Sequence, residues 1–176
     1  MKHKFLLIYT WFVRSITFFL PDAPILMRFR GYLYSFGMKK CGSNFQVSHS
    51  VIINTLEGLS VGNNVYVANF TVILSKHIQL EDDVLIGPSC VFSSSNHILE
   101  NGSFRNLSES GKEVIIGSGS WVAANCTILS GAVLPKGSVL AANSALTSKL
   151  DCNLPLSIYG GNPAKFIKQI VHKTYN

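Results

Sequence analysis

Aliphatic residues fall at every sixth position from residue 116 to residue 146: Ile116, Val122, Ile128, Leu134, Leu140 and Leu146. Four residues after each of the first five comes a small side chain: Ser120, Cys126, Ala132, Ser138 and Ser144. The same spacing links Val61, Val67 and Ile73, then resumes after one extra residue at Leu80, Ile86 and Phe92. A weaker version begins near Val47 and Ile53. A fixed internal period of this kind means a solenoid, in which each unit buries its apolar side only against its neighbours. Six residues are too few for a helical hairpin but enough for one short strand and a turn. Three units therefore make a triangular coil of about eighteen residues in a parallel β-helix. The aliphatic side chain fills the interior, the small one fits where the chain turns, and Gly, Asn and Asp supply the turn dihedrals. A sandwich would show period-two strands instead.

The first forty residues follow another pattern. The apolar run from Phe5 to Leu20, broken by Arg14, predicts a helix ended by Pro21 and Pro24. At 16 residues it would be about 24 Å long, short of the roughly 30 Å of bilayer hydrocarbon, and no small-x-small cleavage site follows it. The expectation is a helix that packs on the domain or lies in a membrane interface, rather than a cleaved signal or a single span. "ILMRFRGYLYSFGMKKCG" predicts a second, shorter helix stopped by Gly37 or by Cys41-Gly42. The chain thus divides into an N-terminal helical segment (1–41), a β-helix (42–160) with an inserted loop (93–113), and a C-terminal tail with a short helix (161–176).

Composition narrows the function classes. A hydrophobic fraction of 47% with 14% charged residues excludes a disordered chain. The net charge of +6 is local: residues 1–40 hold seven basic side chains against Asp22 alone, and the rest of the chain is balanced. That argues against a general nucleic-acid surface and makes an anionic membrane the better partner for residues 1–40. Cys41, Cys90, Cys126 and Cys152 lack CxxC spacing, so neither zinc nor redox chemistry is signalled. Reduced, buried thiols suit a cytoplasmic protein.

Residues 93–113, "SSSNHILENGSFRNLSESGKE", abandon the repeat, are polar, and carry His97 near their start. Solenoids tolerate insertions at corners, and such excursions often carry function. His97 is the first candidate for chemistry, with His77, beside the single-residue irregularity before Leu80, as the second. His3 and His172 lie near the termini and are expected to be solvated.

From about Gly42 to Ile170 the chain resembles the hexapeptide-repeat acyltransferases, through "NVYVANFTVIL", "LEDDVLIGPSCVFSSSNH", "IGSGSWVAANCTILSGAVLPKGSVLAANSALTS" and "YGGNPAKFIKQI". It looks closest to the galactoside and maltose O-acetyltransferases and to enzymes that O-acetylate surface polysaccharides. The resemblance implies an all-β solenoid, a left-handed parallel β-helix, in a homotrimer with active sites between subunits. It implies acetyl-CoA as co-substrate, a sugar or glycolipid acceptor, His97 as general base and no metal. By the same resemblance Asn69 hydrogen-bonds the acceptor and Trp121 lies beside the site, while Ala124 and Ala142 present backbone groups to the pantetheine arm. Thr147 matches a coenzyme contact. Ser148 stands where relatives often carry lysine, which leaves Lys149 and Lys165 as the candidates for the coenzyme phosphates.

The scaffold leaves alternatives: N-acylation of an amino sugar, or a structural β-helix without catalysis. A γ-class carbonic anhydrase would need three histidine ligands between chains, and the coils lack the repeated histidines.

Overall fold

A computed structural model describes residues 2–74, 77–109 and 111–171. Two helices come first, α1 (Lys2–Thr17) and α2 (Pro24–Ser35). Pro24 does not help to end the first helix; it sits in the first turn of the second, where its missing N–H costs nothing. From Lys40 the chain winds through short strands into a parallel β-solenoid of about six turns.

Three ladders form the walls. The first face stacks Lys40–Cys41, Leu59–Val61, Ile78–Leu80, Val114–Ile116 and Val133–Leu134. The second runs through Gln46–Val47, Tyr66–Val67, Leu85–Ile86, Trp121–Val122, Val139–Leu140 and Ser157–Gly161. The third stacks Ile52–Ile53, Val72–Ile73, Val91–Phe92, Thr127–Ile128 and Ala145–Leu146. The periodic residues meet like with like: Val67, Ile86, Val122 and Leu140 are successive partners along the second face, and all are buried. Each such side chain contributes about 1.5–3 kcal/mol through burial.

The small residues that follow four positions later are buried too, and they do more than fit. Thr71 Oγ1 donates to the Gly87 carbonyl at 3.0 Å, Cys90 Sγ to Ala123 at 3.1 Å, and Cys126 Sγ to Ala141 at 3.1 Å. Each hydroxyl or thiol thus satisfies a carbonyl of the next coil's turn, which would otherwise be a buried acceptor without a partner. The hydrogen-bonding Cys126 thiol and, after it, burial hold Cys90 above its ordinary pKa, so it stays a neutral thiol. The turns use left-handed backbone: Asn64, Asp83, Gly119 and Gly137 at first-to-second corners, and Phe70, Ser89, Asn125 and Asn143 at second-to-third corners.

The helices close the N-terminal end. Gly31 lies so near the first coil that a Cβ there would stand 2.1 Å from the Phe45 carbonyl oxygen. Beside it the fully buried Arg30 donates to the carbonyls of Val47, Thr17 and Leu20, to the Thr17 hydroxyl, and to Asp22. A buried guanidinium needs such a set of partners to offset desolvation.

Two segments differ from expectation. The sequence predicts a short C-terminal helix, but Ala164–Gln169 is a strand, antiparallel to Ser157–Gly161. Gly160-Gly161-Asn162-Pro163 is turn chemistry, and the end of the second face offers an open edge for a strand to pair. Phe166 then packs edge-on against Tyr159 at 6.1 Å. Residues 172–176, including His172, lie outside the described residues. The inserted loop is likewise ordered pairing: Asn96–Glu100 and Ser103–Glu109 form an antiparallel hairpin, turned at Asn101-Gly102 with both residues at positive φ.

Candidate active site

The hairpin arm leaves the solenoid at the corner between the third and first faces, after Phe92, and returns at Val114. Its root is pinned on both sides. The His77 N–H donates to Ser94 Oγ at 3.2 Å, and the Lys112 N–H donates to Ser130 Oγ at 2.7 Å. Gly111, at φ +57, passes so close to the Ser94 carbonyl that a Cβ would stand 1.8 Å from its oxygen. His97 sits on the outgoing strand opposite Ser108, and its side chain is exposed. His77 is exposed at the same corner, one coil step from the arm's root.

Three other candidates stack along a different edge. Asn69, Ala124 and Ala142 each take the second position of a second-to-third turn, with Pro88 between Asn69 and Ala124. Backbone bonds stitch this edge: Ser89 N–H to Asn69 C=O at 2.9 Å, Asn125 to Pro88 at 2.9 Å, and Asn143 to Ala124 at 3.0 Å. Ala124 is half-buried and Ala142 exposed, and neither carries a side chain beyond a methyl group. The Asn69 amide oxygen accepts from Ser50 Oγ at 3.0 Å, which fixes its orientation and leaves its NH2 pointing elsewhere. Trp121 stands on the outer side of the second face between Leu85 and Val139, and is 47% exposed.

Thr147 and Lys149 lie past the last third-face strand. The Lys149 N–H donates to Thr147 Oγ1 at 3.2 Å, and Thr147 borders a depression of about 150 Å³ with Gly131, Ser148 and Leu150. Lys165 is exposed on the C-terminal hairpin, opposite Gly160. Among the described residues, no group of three or more His, Cys, Asp or Glu side chains is placed to hold a metal ion.

One chain therefore sets His97 and the Asn69, Ala124 and Ala142 turns at two different corners. The third face lies between them, a step of six residues or about 15–20 Å at about 3.3 Å per residue. Nothing in the six-residue pattern announces one further feature, a dyad above Asn69. His49 occupies the equivalent turn position in the first coil, and its Nδ1 lies 3.0 Å from Asp22 Oδ2. His3 is exposed, in line with its place near the terminus, and its Nδ1 lies 2.7 Å from Glu57 Oε1 where α1 meets the first coil.

No protein-family model matches the chain. A Lysinibacillus sphaericus protein assigned as a macrolide acetyltransferase is 42% identical over 57 residues, 32% of this chain and 30% of that protein. An Escherichia coli (strain K12) protein assigned as a colanic acid biosynthesis acetyltransferase is 24% identical over 92% of this chain and 86% of its own length. Among solved structures, a hexapeptide-repeat acetyltransferase from Vibrio cholerae complexed with acetyl-CoA superposes with a TM-score of 0.80 at 21% identity, over 96% of this chain and 89% of that one. A galactoside acetyltransferase in complex with coenzyme A also gives a TM-score of 0.80, at 18% identity, over 99% of this chain and 87% of that one. The fold is that of the hexapeptide-repeat acyltransferases. The sequence relatives named above are themselves assigned as acetyltransferases.

Proposed function

We propose that the protein transfers an acetyl group from acetyl-CoA to a hydroxyl of a sugar, within a cell-surface polysaccharide or its lipid-linked precursor, at sites formed between subunits of a homotrimer. The donor assignment is supported by the acetyl-CoA and CoA bound in the two solved structures of the same fold. The acceptor assignment is supported by the relative assigned to colanic acid biosynthesis. The reaction would take place in the cytoplasm, at the inner face of the membrane.

The single observation that carries this reading is the separation of the two corners. His97 is exposed on an arm at one corner, and the stacked turn positions of Asn69, Ala124 and Ala142 lie at another. A three-fold assembly would bring one subunit's arm to its neighbour's turns, so each site is complete only between chains.

In that site the His97 imidazole takes the acceptor hydroxyl proton as the oxygen attacks the thioester carbonyl. The tetrahedral intermediate collapses with cleavage of the C–S bond, and the imidazolium returns its proton to the leaving thiolate. Products are the acetyl ester and free coenzyme A, with no covalent enzyme intermediate. General-base help of this type is worth about 10²–10⁴ in rate. Asn69 would hold the acceptor, Trp121 would wall the site, and Thr147 with Lys149 or Lys165 would receive the coenzyme's adenosine end.

The test is thiol release from acetyl-CoA with a panel of sugars, comparing wild type with His97→Ala. Acceptor-dependent turnover that falls at least about a hundredfold in a folded variant supports the reading. Turnover that survives the substitution removes His97 as the base, and acetylation of an amine rather than a hydroxyl overturns the acceptor class.

A further inference from the structure

Helix α2 is apolar on two opposite sides. Met27, Gly31 and Tyr34 face the solenoid and are buried, together with Arg30. Ile25, Phe29 and Tyr32, continued by the cap residue Phe36, follow the spacing of a single helical stripe and face away, between 47% and 69% exposed. Helix α1 repeats the arrangement. Leu6, Thr10, Val13 and Thr17 are buried, while Phe5, Ile8, Phe12 and Ile16 form an exposed stripe, and Phe19 beyond its end is 88% exposed. The solenoid core needs only the inner stripes. The outer ones are more apolar surface than a protein surrounded by water keeps without a use for it.

Charge indicates what covers them. Residues 1–40 carry seven basic side chains and one acidic, and that one, Asp22, is turned inward to Arg30 and His49. Lys4 and Arg28 are exposed on the two helices beside the stripes, whereas Lys39 and Lys40 border a depression on the solenoid wall with Glu81 and Asp82. A second copy of the same segment would set cation against cation, whereas anionic headgroups would neutralise them. The aromatic content of the stripes suits the boundary between headgroups and acyl chains. Among the described residues, no helix is long and apolar enough to cross a membrane, which fits helices lying in the interface plane.

We propose that the outward stripes of α1 and α2 dock the protein on an anionic phospholipid bilayer, setting the first coils and the Asn69 corner beside the headgroups, where a lipid-linked sugar would lie. The docking rests on the two stripes and their charge. Its consequence for the acceptor rests on the function proposed above. The coupling is rigid, because α2 is fixed to the first coil through Gly31 against Phe45 and through Arg30 to the Val47 carbonyl. At about 5 Å per coil, the Asn69 turn is one coil below that attachment.

The experiment is co-sedimentation of the full chain with vesicles of phosphatidylcholine, alone or with about a third phosphatidylglycerol, without donor or acceptor. The expected result is binding to the anionic vesicles at least about tenfold tighter than to neutral ones. The double substitution Phe29→Ser/Phe36→Ser should weaken it at least about tenfold, with the thermal midpoint and turnover of a soluble acceptor unchanged. Should that variant fail to fold, Arg28→Glu keeps both stripes and should lower only the anionic preference. No binding to anionic vesicles, or equal binding by wild type and variants, overturns the proposal. So does loss of self-association in the variant with lipid binding intact, which would make the stripes a contact between copies. Lipid binding without turnover on any sugar would sink the transfer reading and leave the docking standing.

Discussion

Asp22 and His49 lie 27 residues apart in sequence, yet one carboxylate holds both the backbone and the ring of the histidine. Asp22 Oδ1 accepts from the His49 N–H at 2.8 Å, and Oδ2 faces Nδ1 at 3.0 Å. Arg30 Nη1 approaches the same Oδ1 at 3.3 Å. The pair ties the linker between the helices to the first turn of the solenoid. It also places an oriented imidazole on the same edge as Asn69.

The pH dependence of stability should report this junction. Burial raises the Asp22 pKa, but the His49 amide, its ring and the Arg30 charge together outweigh that and leave it below the ordinary value of about 3.9. A carboxyl with a lowered folded-state pKa contributes stability that is full above its unfolded value and lost as pH falls through the folded one. Asp22→Asn should therefore be less stable than wild type by about 1–2 kcal/mol at pH 7. The two urea-unfolding curves should converge once the pH has fallen below the ordinary carboxyl range and through the lowered folded-state pKa. A difference that stays constant across that range would show that the carboxylate's charge contributes nothing.

Gly111→Ala should separate the arm from the wall. The new Cβ meets the Ser94 carbonyl at a backbone angle that L-residues adopt at a cost of about 1–2 kcal/mol, so the arm's root must shift. Acetyl transfer should drop about tenfold or more while the thermal midpoint moves by only a few degrees, because the coil ladders on either side are untouched. Gly102→Ala is the control, with positive φ but nothing within 4 Å of its Cβ. It should cost at most about 1 kcal/mol and leave turnover unchanged. Equal effects of the two substitutions on turnover would mean that arm placement is irrelevant to catalysis.

In the proposed reaction Lys149 and Lys165 are the two candidates for the coenzyme phosphates. Alanine at the true partner should raise the KM for acetyl-CoA about fivefold, the roughly 1 kcal/mol of an exposed charge contact, with kcat held. The effect should shrink as salt rises. Alanine at the bystander should change neither constant, and two silent substitutions would place the phosphates elsewhere.

How much of this was legible beforehand depends on the kind of constraint each residue obeys. Ile116, Val122 and Ile128 repeat because each stacks on its counterpart one coil away, so the spacing alone yields the wall. The hairpin form of residues 96–109 was also legible, since Asn101-Gly102 is the dipeptide that a tight antiparallel turn requires, but the polarity around it reads first as a loop. Strand Ala164–Gln169 was harder. Its identity depends on an open edge created by the rest of the fold, which local spacing does not encode. The Asp22–His49 junction was invisible in sequence, because each partner belongs to a different periodicity and their approach is set by how α2 packs.

The arm interrupts the chain without interrupting the ladders. Leu80 pairs with Ile116 and Phe92 with Ile128 across the excursion, in the register that an uninterrupted coil would use. The solenoid therefore reads the twenty-odd inserted residues as a detour of zero length. An evolving lineage could lengthen, trim or exchange that segment without re-cutting a single interior side chain, so the arm and the part that keeps the protein folded are free to change at different speeds.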